Sequence, residues 1–106
     1  MPTLTQPPLP EDVAAAIDAL GNSARAYLLH ILSSRGEQTA AELAEAISSD
    51  RRSALRHVLT LENVGAVRGD VPTEQRHGRT VRWSINDARV AELTALVDRY
   101  LRGRSR

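Results

Sequence analysis

The spacing of apolar residues changes along this chain from a helical period to a strand period and back. Up to about residue 65, apolar side chains recur every three or four positions, as they do on one face of an α-helix. In RTVRWSI, Val81, Trp83 and Ile85 alternate with polar residues, a pattern typical of a half-buried strand. Helical spacing then returns. The chain is therefore predicted to be mainly α, with a small β-hairpin (α+β).

Local signals divide the first part of the chain into helices. Residues 11–20 have apolar side chains at helical spacing, and Gly21 is expected to end this helix. Ser23 is predicted to cap a second helix, which ends near Gly36.

A capping box marks the third predicted helix. Thr39 is followed three residues later by Glu42, so each side chain can bond a backbone N–H at the other position. After a short break, residues 50–63 again have helical spacing, and Gly65 follows them. Two helices joined by so short a break are typical of a helix-turn-helix.

A hairpin and one further helix complete the predicted order. AVRGDV, residues 66–71, is a weaker strand candidate that would pair with RTVRWSI, residues 79–85. Between them, PTEQRHG contains no apolar residue and is predicted to form the hairpin tip. Asp87 is predicted to cap the last helix. The order α-α-α-α-β-β-α is that of a winged helix-turn-helix.

The composition fits one small domain with an aliphatic core. The chain has 106 residues, no Phe, one Trp and two Tyr, so Leu, Val, Ile and Ala must supply most of the core. The absence of cysteine excludes disulfides, thiolate metal sites and thiol redox chemistry. Residues 1–10 contain four prolines and are predicted to be a flexible arm, residues 11–101 the winged domain, and residues 102–106 a basic tail.

The sequence also bears on where the protein acts. No apolar run approaches the roughly 20 residues that a transmembrane helix needs. MPTLTQPPLP lacks the basic and apolar regions of a signal peptide. The expectation is a cytoplasmic protein with no membrane partner.

Positive charge is concentrated in the second half of the chain. Residues 1–50 contain two arginines and seven acids, a net charge of −5, whereas residues 51–106 contain twelve arginines and six acids, a net charge of +6. Together these give the overall net charge of +1. Such an asymmetry favours one surface that binds a polyanion.

The helix predicted at residues 50–63 has an apolar face and a basic face. At about 100° per residue, Val58 lies close to Ala54, whereas Arg52 and Arg56 lie on the opposite side. A helix with outward arginines fits the major groove of DNA, where Arg can form two hydrogen bonds to guanine. The alternative is that these charges form only a solvated face, as they do on most amphipathic helices.

The hairpin tip is a second basic segment. Arg76, His77, Arg79 and Arg82 are interrupted by no acid. A wing of this kind can place Arg on the phosphate backbone or in the minor groove. Double-stranded DNA is therefore the predicted partner.

Four segments together resemble the ArsR-type family of winged helix-turn-helix repressors. They are ALGNSARAYLLHIL at 19–32, TAAELAEAI at 39–47, LRHVLTLENVGAV at 55–67 and VRWSI at 81–85. The resemblance covers about residues 11–101. It implies a homodimer, formed by the first and last helices, that binds an inverted repeat and usually represses transcription.

The resemblance also helps to define the expected site residues, because it places Ser53, Leu55, Arg56 and His57 in the recognition segment and Arg79 at the wing. The predicted DNA-binding residues are Ser49, Arg51, Arg52, Ser53, Arg56, His57, Arg76, His77 and Arg79. The predicted dimer interface consists of Val13, Ile17, Val90, Leu93, Val97, Tyr100 and Leu101.

The chain departs from the family pattern at the positions used for sensing. Many members bind metal through a Cys-x-Cys pair where this chain has LAEAISSD, and others use Asp and His on the last helix, where Asp87 and Asp98 have no histidine partner. No metal or other cofactor is therefore predicted. A small-molecule effector is compatible with the sequence, but no motif supports one.

Two leucines flank the basic face of the predicted recognition helix. Leu55 stands where the family commonly has a small polar residue, and Leu59 lies one turn later. Two roles are open for them: packing against a neighbouring helix or the hairpin, or contact with a thymine methyl group.

The expected function is sequence-specific binding of double-stranded DNA by a transcription regulator, through residues 50–63 and the wing at residues 70–80. The alternative is a winged-helix protein-interaction module. Under this alternative the protein does not bind DNA, and replacing Arg52 or Arg56 does not affect its function. An enzyme is not expected, because the sequence has no nucleophile–base set, no paired carboxylates and no glycine-rich phosphate loop.

Overall fold

The computed structural model describes residues 7–104, which form five α-helices and a three-stranded antiparallel sheet. The predicted winged helix-turn-helix is confirmed. Residues 1–6 and 105–106, which include most of the predicted arm and the end of the predicted tail, lie outside the described residues. No helix in the described range is long and apolar enough to span a bilayer. The elements are α1 (Glu11–Leu20), α2 (Ser23–Arg35), β1 (Gln38–Thr39), α3 (Ala40–Ala46), α4 (Arg51–Asn63), β2 (Val67–Gly69), a 3₁₀ turn (Thr73–Gln75), β3 (Arg82–Ile85) and α5 (Asp87–Leu101).

The turn between α3 and α4 is tight and is preceded by the predicted capping box. The Thr39 backbone N–H donates to Glu42 Oε1 at 2.8 Å, and the Glu42 N–H donates to Thr39 Oγ1 at 3.2 Å. After α3, Ser48 adopts a left-handed conformation with φ of 53°, and the Ser49 N–H donates to the Ala44 carbonyl at 2.9 Å. These contacts fix where α4 begins relative to α3.

Two predicted helix caps are wrong by one residue. The cap of α2 is Asn22 and not Ser23, because Asn22 Oδ1 accepts a hydrogen bond from the backbone N–H of Arg25 at 3.0 Å. The cap of α5 is Asn86 and not the predicted Asp87, because Asn86 Oδ1 accepts a hydrogen bond from the backbone N–H of Arg89 at 3.2 Å. In each case an asparagine directly before the predicted cap already reaches the amide three residues along the chain.

The sheet contains a strand that the sequence did not predict. Residues 38–39 form β1, which pairs with β3, so the strand order is β1-β3-β2 with β3 in the centre. Gln38 lies opposite Trp83, and Val67 lies opposite Ile85. The sheet therefore joins the segment before α3 to the wing. The strand β3 is shorter than the predicted strand at residues 79–85.

The core is mainly aliphatic, as the composition predicted, with leucine, alanine and valine around one tryptophan. Trp83, Leu28, Leu43 and Leu61 are among the largest fully buried side chains. α1 packs against α5 at the other side of the domain. This arrangement leaves one side of α4 against the core and the other side open to solvent.

Candidate nucleic-acid interface

Helix α4 buries one side and exposes arginines on the other. Ala54 and Val58 have no solvent exposure, whereas Arg52 and Arg56 are exposed. Within residues 7–104, neither arginine lies at ion-pair distance from an acid. Both guanidinium groups therefore remain available to an external anion.

Leu55 and Leu59 form a ridge on α4 between two grooves. They are 39% and 42% exposed, so neither is packed away against a neighbouring element. On one side lies the outer groove, of about 870 Å³, lined by Arg52, Arg56, Thr60 and Thr73 among others. On the other side lies the wing groove, of about 390 Å³, lined by residues of α4, the start of α3 and the hairpin, including Arg51, Arg79, Val81 and Trp83.

Arg76 holds the wing against α4. Its Nη1 and Nη2 donate to the two carboxylate oxygens of Glu62 at 3.0 and 2.7 Å, and its Nε donates to the Val71 carbonyl at 2.7 Å. The guanidinium also lies 4.8 Å from the centre of the Trp83 ring, in a cation–π arrangement. The ion pair lowers the pKa of the Glu62 carboxyl and raises that of Arg76, mainly through their hydrogen bonds.

The structure thus gives Arg76 a role different from the predicted DNA contact. Its side chain is 16% exposed, and its charge is balanced by that of Glu62. Three of its five N–H donors are used within the subunit, so Arg76 offers fewer donors to phosphate than an unpaired arginine does. These contacts position the wing.

His57 is also placed differently from its prediction. It lies on α4 but is half-buried, and its Nδ1 is 3.1 Å from Nη1 of Arg25 in α2. The Nε and Nη2 of Arg25 donate to the Asp18 carbonyl at 3.2 and 2.7 Å. Because arginine can only donate, His57 Nδ1 must accept, and the proton of the neutral ring lies on Nε2. His57 therefore connects α4 with the α1–α2 junction.

This environment predicts a pH-dependent stability. Burial, followed by the positive charges of Arg25 and Arg56, lowers the pKa of His57 from 6.5. The native state therefore favours the neutral ring, and the free energy of unfolding should decrease as the pH falls below about 6.5. Urea unfolding at pH 7.5 and 5.5 measures this change, above the range in which carboxylates titrate.

Matched histidine variants isolate the effect. His57→Gln keeps an acceptor for Arg25 without a titrating group, so we expect a smaller decrease between the two pH values. His77→Gln, at an exposed position of the wing, should leave the wild-type decrease in place. An unchanged decrease in His57→Gln would show that another group is responsible.

The remaining predicted DNA-binding residues fall into two groups. Arg51 and Arg79 come together in the wing groove, although they lie 28 positions apart in the sequence. Ser49 in the turn and His77 in the wing are exposed, and Ser53 is half-buried on α4. The basic side of α4 and the wing therefore form one surface on the molecule.

Comparison with known proteins gives one curated relative and a set of similar structures. The cadmium resistance transcriptional regulatory protein CadC homolog of Staphylococcus aureus is 30% identical over 84 residues, which are 79% of this chain. The chain spans 65% of the length of that relative. No protein-family model matches the chain.

The solved structures share the fold over most of the chain. An ArsR family transcriptional regulator aligns with a TM-score of 0.67 and 26% identity, over 95% of this chain and 99% of that one. The chain therefore has the fold of an ArsR family transcriptional regulator. Two further structures have the same fold. An ArsR-like transcriptional regulator from Rhodococcus sp. RHA1 aligns with a TM-score of 0.64 and 24% identity, over 84% of this chain and 78% of that one. The AntR antimony-specific transcriptional repressor aligns with a TM-score of 0.61 and 20% identity, over 79% of this chain and 72% of that one.

The two helices at which the resemblance to the ArsR-type family implies dimerisation, α1 and α5, pack against each other within the subunit. Val13 of α1 and Leu93 of α5 are each 1% exposed, so they are buried inside the subunit and not available to a partner, contrary to the prediction. The other predicted interface residues, Ile17, Val90, Val97, Tyr100 and Leu101, are half-buried or exposed. Leu101 is 73% exposed, more than the other exposed large apolar residues of the described range, Tyr27, Leu55 and Leu59.

The structure holds no group of metal-binding side chains in the part of the chain that it describes. Within residues 7–104, no three His, Cys, Asp or Glu residues lie close enough together to hold a metal ion. His30 stacks on Tyr27, with ring centres 6.1 Å apart, and so contacts an aromatic side chain of α2.

Proposed function

We propose that this protein is a homodimeric ArsR-type transcription regulator that binds double-stranded DNA through α4 and the wing. The observation that carries the proposal is the exposed pair Arg52 and Arg56, which have no acidic partner within the described residues and project from the helix that follows the α3–α4 turn. The names of two similar proteins, a transcriptional regulatory protein and a transcriptional repressor, support it.

The proposed contacts differ between α4, its turn and the wing. Arg52 and Arg56 enter the major groove, where guanine offers two acceptors to each guanidinium. Arg51 and Ser49, at the start of α4, contact phosphates together with the helix N-terminus. The predicted wing contacts are His77 and Arg79, and Ser53 lies beside the reading face. Arg76 and His57 act by positioning these elements.

A salt titration tests the proposal directly. If each subunit neutralises about four phosphates, the logarithm of the association constant should fall with the logarithm of the salt concentration with a slope near −7. The measurement is a gel shift or fluorescence anisotropy titration of a duplex from the protein's own promoter at several salt concentrations. A flat slope, or no binding at low salt, would instead favour the protein-interaction module.

The homodimer is part of the same proposal. A dimer places two copies of α4 in successive major grooves, about 34 Å apart, and so matches an inverted repeat. The proposed interface centres on Ile17, Val90, Val97, Tyr100 and Leu101. The exposed Leu101 and the half-buried Val97 and Tyr100 in the same turn of α5 supply the apolar surface that this partner would cover.

Replacing Leu101 with aspartate should disrupt this dimer. A carboxylate buried without a partner costs several kcal/mol, so we expect the sedimentation coefficient of the variant to match a monomer of 11.6 kDa. Ser33→Asp, at an exposed position of α2, makes a comparable change elsewhere and should remain dimeric. A dimeric Leu101→Asp variant would contradict an interface at this end of α5.

The direction of regulation and the location are part of the same proposal. We propose repression, which the resemblance to ArsR-type repressors implies, and a cytoplasmic location. The proposal assigns no catalytic step to any residue.

A further inference from the structure

The wing groove has the size and the lining of a small-molecule site. Its volume of about 390 Å³ lies within the range of roughly 300–1,000 Å³ that is usual for ligand pockets. Ligand pockets are mostly apolar, with a few polar groups that orient the ligand. In this groove the accessible apolar surface comes mainly from Leu55 and Leu59 of α4 and from Val81, which directly precedes β3, and the buried Trp83 borders the groove.

The charge of the wing groove selects for an anion. Arg51 and Arg79 line it, and neither is paired with an acid within residues 7–104. Arg76 also lines it, but Glu62 balances its charge. No acidic residue is among the lining side chains. The groove therefore offers two uncompensated guanidinium groups beside an apolar surface.

We propose that the wing groove binds a small apolar monocarboxylate, whose carboxylate lies between Arg51 and Arg79 and whose apolar body packs on the leucine ridge and Val81, next to the buried Trp83. Arginine binds a carboxylate through two parallel hydrogen bonds, and burial of an aliphatic or aromatic body provides the remaining affinity. A neutral ligand would leave both arginines without a partner, and a cation would be repelled by them.

Such a ligand and DNA would exclude each other. Arg51 and Leu55 belong to α4, and Arg79 belongs to the wing, so a ligand in the groove occupies side chains that the duplex would approach. The ligand site itself stands on the groove alone, whereas this exclusion rests on the proposed function.

Octanoate is a suitable probe, with octylamine as its cationic counterpart of equal chain length. Trp83 is the sole tryptophan and borders the groove, so both its fluorescence and its indole N–H signal in NMR spectra report on changes there. We expect octanoate to shift both signals in a saturable way, with an affinity at least tenfold higher than that of octylamine. Equal affinities, or octanoate binding that leaves the Trp83 signals unchanged, would overturn the proposal, as would no binding at all.

Paired arginine variants test the role of charge. The double variant Arg51→Gln with Arg79→Gln should weaken octanoate binding at least fivefold and leave octylamine binding no weaker. Arg35→Gln with Arg104→Gln removes the same charge from exposed positions outside the groove and should bind octanoate as the wild type does. An equal loss in both double variants would show that octanoate responds only to net charge, and would overturn the site.

A competition experiment separates the ligand site from its consequence. In wild-type protein already shown to bind its promoter duplex, saturating octanoate should lower the apparent DNA affinity at least fivefold, and octylamine should not. If octanoate binds at Trp83 while the DNA affinity stays constant, the exclusion is refuted and the site remains. If no duplex binds in the first place, the proposed function fails, and the fluorescence result still decides the ligand site.

Discussion

Replacing Trp83 with alanine is expected to lower the free energy of unfolding by about 3–5 kcal/mol, the range found for large aromatic residues in protein cores. Trp83 is 1% exposed and lies on β3, the central strand of the sheet. The guanidinium of Arg76 covers one side of its ring. Loss of the Trp83 ring would leave a cavity beneath the wing and remove the surface on which the Arg76 guanidinium lies.

Urea unfolding followed by far-UV circular dichroism measures this effect, since the fluorescent residue is removed. Trp83→Phe is the matched control. The indole N–H of Trp83 has no hydrogen-bond partner in the described part of the chain, so phenylalanine loses volume but no hydrogen bond and should cost less than alanine. Both variants must be compared at one protein concentration, because the proposed dimerisation would contribute to stability. A cost for alanine below about 1 kcal/mol would contradict a packed core at this position.

The double variant Arg52→Ala with Arg56→Ala should lose most of the specific affinity for DNA. An arginine that bonds a guanine contributes about 1–3 kcal/mol, so removing both should cost at least about 2 kcal/mol per half-site. The two side chains are one helical turn apart, and their effects need not add. Fluorescence anisotropy with the operator and with a scrambled duplex measures both specific and non-specific binding.

A control variant separates the loss of base contacts by Arg52 and Arg56 from a general effect of lost positive charge. Arg35→Ala with Arg104→Ala removes the same charge outside the proposed interface and should change operator affinity little. If Arg52 and Arg56 contacted phosphates only, their removal would weaken both duplexes equally and reduce the steepness of the salt dependence. A double variant that binds the operator as tightly as the wild type would exclude α4 as the reading helix.

The sequence predicted the elements of this fold because their signals are local. Apolar spacing identified all five helices and the hairpin, and the capping box at Thr39 and Glu42 is present as predicted. The buried side of α4 also followed from spacing, since Ala54, Val58 and Leu61 have no exposure. Each helix signal involves residues within two turns of one another, and each strand signal lies within one short segment.

The contacts that depend on several elements could not be predicted in this way. A helical wheel shows that Val13 and Leu93 are buried. It does not show whether they are buried inside one subunit or between two. Arg76 and Glu62 lie 14 positions apart on different elements, and no spacing rule joins them. β1 has two residues, too few for an alternating pattern.

The Glu62–Arg76 ion pair fixes the wing to α4 before a duplex arrives. A loop that becomes ordered only on binding loses conformational entropy at that moment, and the affinity is reduced accordingly. Here α4 and the wing, the two elements proposed to contact DNA, are already held together, so we expect the duplex to deform when the proposed complex forms. Operators with easily bent pyrimidine–purine steps between the half-sites should therefore bind more tightly than stiff ones, even where no side chain reaches a base.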